Sequence, residues 1–250
     1  MSISIKTARE IEKMRRAGEL LEKVHDELGR AIHPGMSTWE INKLGEEMIR
    51  SFGCTPNFLN YNGYPASICV SVNEEVVHGI PSKKRILKEG DIVSLDAGLI
   101  YKGYHSDAAR THAVGKVSTE AQKLMDVTKQ SFFEGIKMAK EGQHLHDISR
   151  AIEEYVTPYG YGIVRDLVGH GIGTALHEDP QIPNYAQKRR GVRLQAGMTL
   201  AIEPMINAGT WQVRFLRDGW TVVTKDGSLS AHYENTILVT DGEPEILTLY

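Results

Sequence analysis

The sequence predicts an α+β chain built from two similar halves, each giving two helices and then strands. The first observation behind this is the order of periodicities. Helical spacing of apolar residues gives way to strand-like runs after about residue 52, returns after residue 118, and gives way again after Val156. The second is an echo in the sequence. Leu87, Gly90 and Asp96 recur as Leu194, Gly197 and Glu203, and 194 − 87, 197 − 90 and 203 − 96 all equal 107. Both copies carry a carboxylate at the same point of a strand, so two halves facing each other would bring Asp96 and Glu203 towards a shared axis. No linker or low-complexity tract divides the chain, which is read as a single domain, 1–250, with halves of about 1–115 and 116–250.

The elements follow in order. Thr7-Ala8-Arg9-Glu10 has the pattern of a capping box, and Ile11, Met14, Ala17, Leu20, Leu21 and Val24 continue it as a helix. Pro34-Gly35 ends it, and Ser37-Thr38-Trp39-Glu40 opens a second helix with the same box. Asn57 to Gly63 reads as an ordered loop. Residues 67–72, 91–95 and the stretch after Gly103 read as strands. Ser118 caps a third helix running to about Lys140, and Asp147 caps a fourth running through Val156. Strands take over from about Ile163, punctuated by Asp218-Gly219, Asp226-Gly227 and Asp241-Gly242.

Composition excludes several classes. Lys and Arg total 29 against 32 Asp and Glu, a net charge of −3, the opposite of the basic excess that nucleic-acid binders carry. No apolar run approaches the ~18–20 residues that span a bilayer, so no membrane partner is expected. The first 20 residues are charged throughout and do not read as a signal peptide. Cys54 and Cys69 are the only cysteines, which fits a reducing cytoplasm and leaves no Cys-rich zinc site.

The chemistry-bearing residues are carboxylates and histidines. Asp96 and Asp107 flank a turn at Lys102-Gly103. A hairpin with its midpoint between Tyr101 and Lys102 would set the two acids roughly opposite each other, where like charges repel. A shared proton or a cation would relieve that, but two solvated acids on an exposed hairpin would look the same in sequence. His170 stands among Gly169, Gly171 and Gly173, which allow unusual backbone angles and close approach. Glu203-Pro204 ends an apolar strand, and Glu234 lies in another, Ser230 to Leu238. Together two Asp, two Glu and one His form a ligand set for two divalent ions such as Mn²⁺, Fe²⁺, Co²⁺ or Zn²⁺. Four carboxylates balance the charge of two such ions, a common arrangement for hydrolysis. The Gly169-x-Gly171-x-Gly173 spacing is wrong for a phosphate loop.

At these residues the chain resembles the type I methionine aminopeptidases, cytosolic enzymes of the pita-bread fold, over nearly its full length. The resemblance rests on NEEVVHGIP (73–81), DIVSLDAG (91–98), GYHSDAART (103–111), GHGIG (169–173) with His177-Glu178, GMTLAIEP (197–204) and SAHYENT (230–236). It implies a single catalytic domain with a central antiparallel sheet covered by helices on one face. By position, Asp96 would hold one metal, Asp107 and Glu234 would bridge the pair, and His170 and Glu203 would complete the other. Glu203 would also act as general base on the attacking water. His177 would donate a hydrogen bond to the oxyanion, and His78 would contact the scissile amide and stabilise the leaving amine. Tyr61, Tyr64, Cys69 and Trp220 would form the methionine pocket. Phe58, Asn62 and Leu176 would line it or its mouth, at positions where this chain departs from, or falls in variable parts of, the family pattern.

The implied function is removal of the initiator methionine from nascent proteins when the second residue is small, by a cytoplasmic monomer with two divalent ions. Its partners would be N-terminal peptides, with the ribosome as a candidate contact. Two alternatives share the fold: a proline-directed peptidase, normally longer at the N-terminus, and an inactive peptide-binding module, which would have lost metal ligands. The short interval from Glu203 to Glu234 favours type I over type II enzymes. His25, His33, His105, His112, His144, His146 and His232 match no ligand position and read as ordinary helix, loop or strand residues.

Overall fold

The chain is described over residues 3–249 in a computed structural model. Two helix pairs form, α1 (Ala8–Ala31) with α2 (Thr38–Ser51), and α3 (Thr119–Ile136) with α4 (Leu145–Val156). The helix starts have the predicted chemistry. The Glu10 carboxylate accepts the Thr7 N–H at 2.7 Å, Glu40 accepts the Ser37 N–H at 2.8 Å, and the Ser118 hydroxyl accepts the Ala121 N–H at 3.1 Å.

Two boundaries differ from expectation. α3 stops at Ile136, short of Lys140, because the chain beyond is recruited elsewhere. Glu141 N–H bonds to Thr240 C=O, and Gly142 N–H to Leu194 C=O. α4 starts at Leu145, with His144 rather than Asp147 at its N-cap. Leu145 is buried and belongs to the helix, so Asp147 falls at the third position. There its carboxylate accepts the His144 N–H at 3.0 Å.

The central sheet of the described residues has nine strands. Its main path runs Thr55–Pro56, Ile92–Tyr101, Tyr104–Ala113, Glu234–Leu238, Thr199–Ile202, Gly169–Gly171, Glu178–Ile182, and each neighbouring pair along it is antiparallel. Ile68–Val72 also pairs with Ile92–Tyr101. Strand side chains alternate, so each strand has two faces. Val93, Leu95, Ala97 and Leu99 pack with Leu21, Val24 and Ile41 of α1 and α2. Leu200, Ile202 and Ile237 pack with Phe132, Ile148 and Ile152 of α3 and α4. All four helices therefore cover the same face. The other face carries Asp96, Asp107 and Glu234.

The hairpin register corrects the expected geometry of the acid pair. Tyr101 pairs with Tyr104 across a two-residue turn in which Lys102 and Gly103 have φ of 48° and 82°. Positive φ at both central positions gives the tight hairpin turn whose twist matches the strands. The midpoint thus lies between Lys102 and Gly103. Asp96 pairs with Ala109, and Asp107 with Gly98. The two carboxylates share a face but sit diagonally, two residues out of register.

Two three-stranded sheets flank the central one. One joins Ser230–His232, Met205–Asn207 and Gly162–Ile163. The other joins Val213–Phe215, Val222–Thr224 and Glu75–Val77. Met205 and Val77 from them, and His78 just beyond, line one cavity with the acids.

Helix and sheet are also tied by a buried amide. Asn42 of α2 is 3% exposed, and its Oδ1 accepts the N–H groups of Ser67 and Ile68 at 2.9 and 3.0 Å. Asn42→Ala would leave two buried donors unpaired, at about 1–3 kcal/mol each. Thermal unfolding should show a midpoint lowered by about 2–4 °C per kcal/mol lost. Lys43→Ala, on the exposed side of the same helix, should stay near wild type.

Candidate metal centre

Ala109 is the middle of the site floor. It pairs with Asp96 on one side and with Glu234 on the other, so its small side chain leaves the two carboxylates to flank open space. Asp107 lies two residues along, and Asn235 pairs with Ile202 on the next strand. Extending that register by one residue sets Glu203 beside Glu234. His170 pairs with Ala201, the next small residue of the floor. Five side chains from five strands thus meet on one face.

Their chemistry fits a divalent cation. Asp107, Glu234 and His170 are buried, and Asp96 and Glu203 are half-buried. Asp107, His170 and Glu234 offer ligand atoms within 4.8 Å of one another. So do Asp96, His232 and Glu234, and Glu234 belongs to both groups. Asp96 Oδ1, Asp107 Oδ1 and Glu234 Oε1 are buried and have no hydrogen-bond partner among the described residues. Buried unpartnered carboxylate oxygens carry a large desolvation cost that a cation removes.

The proton affinities express the same crowding. Burial pushes Asp96 up to about 7. Burial, then the charges of Asp96 and Glu203, pushes Asp107 well above the usual carboxylate range. Glu203 is raised by burial and by Asp96, and Glu234 by burial, Asp107 and Glu203, with Arg110 opposing.

His170 is oriented as a ligand. A carbonyl can only accept, so the 2.9 Å contact of His170 Nδ1 with Gly171 C=O puts the proton on Nδ1. The Nε2 lone pair then faces Glu203 Oε1 at 3.5 Å and Asp107 Oδ2 at 3.9 Å. Burial holds His170 down to about 3, so it stays neutral near pH 7. Of the two purposes expected of the glycines around it, unusual backbone angles and close approach, the second is the one found at Gly169 and Gly171. Gly169 and Gly171 do not have positive φ. They permit close packing instead: a Cβ on Gly171 would lie 2.2 Å from Asp179 C=O, and one on Gly169 2.4 Å from Ala201 C=O.

Two further histidines approach from loops. The His177 ring is 4.3 Å from that of His170, centroid to centroid, and its Nδ1 lies 2.7 Å from the Tyr61 hydroxyl. The loop is anchored by the next residue, since Glu178 Oε2 meets Lys6 Nζ at 2.6 Å. His78 follows the Glu75–Val77 strand with φ of 58°, and its ring lies 6.3 Å from that of Trp220. Burial lowers the pKa of His177, and lowers that of His78 to about 4.

The cavity between these groups measures about 240 Å³. Phe58, Tyr61, Tyr64, Cys69, His78, Asp96, Asp107, His170, Leu176, His177, Glu203, Trp220 and Glu234 all line it, so every site residue named from the sequence meets in one place. Asn62 lines it as well. Cys69 pairs with Asp96 across neighbouring strands, which joins the apolar wall to the acids. Tyr64 and Trp220 stack edge to face at 5.2 Å, and the Tyr64 hydroxyl donates to Gly79 C=O at 2.9 Å. Sequence reasoning missed Val77, Leu167, Val168 and Met205 in the lining. It also misread His232, which is not an ordinary strand residue but a buried member of an acid cluster. Its position two residues before Glu234, on the same side of an extended chain, was the available signal.

A profile of metallopeptidase family M24 matches residues 12–241. A methionine aminopeptidase of Clostridium acetobutylicum is 54% identical over 247 residues, 99% of this chain and 99% of that protein. The crystal structure of a methionine aminopeptidase from Thermotoga maritima, 48% identical, superposes with a TM-score of 0.97 and covers 100% of both chains. An Xaa-Pro dipeptidase from Bacillus anthracis is 27% identical, with a TM-score of 0.78, and the match covers 98% of this chain but 62% of that one. The shared architecture is the pita-bread fold expected from the sequence. A profile match along most of the chain, and a relative more than half identical over nearly all of it, establish that this chain belongs to metallopeptidase family M24.

Proposed function

We propose that this chain is a methionine aminopeptidase. It would remove the initiator methionine from new proteins whose second residue is small, using two ions drawn from Mn²⁺, Fe²⁺, Co²⁺ and Zn²⁺. The observation that carries this reading is the junction of a carboxylate-rich floor with an apolar pocket in one cavity. The whole chain, 1–250, acts as one catalytic domain, with 1–115 and 116–250 as its related halves. A cytoplasmic monomer meeting chains as they leave the ribosome fits such a substrate.

Asp96, Asp107, His170, Glu203 and Glu234 would hold the ions, with Asp107 and Glu234 common to both. Two bound ions would supply Lewis acidity and a water acidified towards neutrality. Glu203 takes the proton from the attacking water, a role suited to a carboxylate whose proton affinity is raised. With the Tyr61 hydroxyl donating to Nδ1, His177 keeps its proton on Nε2 and can donate it to the developing oxyanion. His78, neutral through burial, contacts the scissile amide and the leaving amine. Acids facing the cavity favour a free α-amine. Phe58, Tyr64, Cys69, Leu176 and Trp220 accept a thioether side chain, with Tyr61 at the edge, because aromatic walls and sulfur suit a polarizable group.

Glu234→Ala should remove high-affinity binding of both ions, since Glu234 belongs to both ligand groups. Calorimetric titration checks this, and one site of wild-type affinity would contradict the shared role. Glu203→Gln keeps the shape but cannot take a proton. With metals saturating, kcat should fall by about 10²–10⁴. The function itself is tested by kcat/KM over a peptide panel. Met-Ala, Met-Gly and Met-Ser should be cut fast, and Met followed by a bulky residue slowly. N-acetylated peptides and peptides beginning with Lys or Asp should fail, because a charge in the apolar pocket has no partner. Xaa-Pro peptides cut as well as Met-Ala would replace this reading with the proline-directed one.

A further inference from the structure

His232 is buried among the acids with nothing to bond. It is 2% exposed, and both ring nitrogens lack a hydrogen-bond partner among the described residues. A buried imidazole left unpaired is unfavourable, so its position needs a reason. Its Nε2 lies 3.7 Å from Glu234 Oε2, too far for a hydrogen bond. Asp96 Oδ1 and Glu234 Oε1 are unpartnered as well. Ligand atoms of Asp96, His232 and Glu234 lie within 4.8 Å of one another. Donors on opposite sides of one ion are about 4 Å apart, so a small side-chain movement closes this group on a cation.

The backbone holds the ring in place. His232 N–H donates to Thr111 Oγ1 at 2.9 Å, and Thr111 Oγ1 donates to His232 C=O at 2.8 Å. Ser94 Oγ completes that chain at 2.8 Å from Thr111 Oγ1. His170 differs: its Nδ1 is taken by Gly171 C=O, and only its Nε2 faces the acids.

We infer that His232 is a metal ligand on the Asp96 side of the centre, so that each of the two ions is held by one imidazole. The centre then has two matching halves that share Glu234: Asp107 with His170, and Asp96 with His232. This deepens the two-ion reading and rests on it. A nitrogen donor on the Asp96 side would favour Zn²⁺ and Co²⁺ there over Mn²⁺, which prefers oxygen.

The test is X-ray absorption on the full chain loaded with two equivalents of Zn²⁺, with bound metal counted separately. Outer-shell scattering reports imidazoles independently of activity. The expected result is two ions and two imidazoles in the wild type, and one imidazole in His232→Gln. Calorimetry on that variant should show one Zn²⁺ dissociation constant raised about 10-fold or more, with the other unchanged. Two ions with a single imidazole in the wild type would overturn the His232 assignment and leave the two-ion reading standing. A wild type that takes up one ion would overturn both. If the variant does not fold, the wild-type spectrum alone decides.

Discussion

Four carboxylates share one face of a sheet, and the architecture around them is organised by their mutual repulsion. Asp96, Asp107, Glu203 and Glu234 each raise, or are raised by, a neighbour, and burial adds to every one of them. Such a set is stable only with protons or cations between its members. The protein limits the strain in two ways. Ala109 and Ala201 give the floor small side chains beneath the acids. On the opposite face, the buried Arg110 donates to Glu234 C=O, Asn235 Oδ1, Thr248 C=O and Glu22 Oε2. That guanidinium both fixes the Glu234 strand and opposes the rise in Glu234's proton affinity.

The cavity joins two media. Its floor is charged, and its wall is aromatic and sulfur-bearing. Cys69 and Asp96 face each other across one strand pair, so the change from one to the other occurs within a single residue step. A ligand that fits must have a polar end and an apolar arm branching close to it. Burial lowers the pKa of both rim histidines, His78 and His177, so they can give a hydrogen bond without adding positive charge that would compete with a metal.

Much of this was legible in the sequence, because the signals are local. Helix starts were readable from Thr7, Ser37 and Ser118, where cap and carboxylate chemistry lie within four residues. Asp96, Asp107, His170 and Glu203 stand near glycines or a proline, but Glu234 lies in Ser230–Leu238, which has neither, and it is readable only as part of the set and through the family resemblance. Register was less so. The diagonal offset of Asp96 and Asp107 depends on which two residues form the turn, and moving the midpoint by one residue changes every partner. His144 and Asp147 exchanged roles because burial of Leu145, a tertiary fact, decides where α4 begins. His232 was passed over for a related reason. Its nearness to Asp96, 136 residues away (232 − 96) on a different strand, is a tertiary fact, and only its two-residue spacing from Glu234 shows locally.

The strand order also has a consequence for how the molecule comes into being. The Glu234–Leu238 strand is threaded between Tyr104–Ala113 and Thr199–Ile202, so the last strand of the centre to be synthesised is also the middle of its sheet. Earlier segments can collapse on their own helices, but both candidate groups, Asp96 with His232 and Asp107 with His170, lack Glu234 until it arrives. Contacts this distant along the chain are slow to close. A chain interrupted between residues 204 and 233 therefore carries Asp96, Asp107, His170 and Glu203 without Glu234, the member common to both groups. The set of acids and imidazole is thus completed only once the Glu234–Leu238 strand has been made.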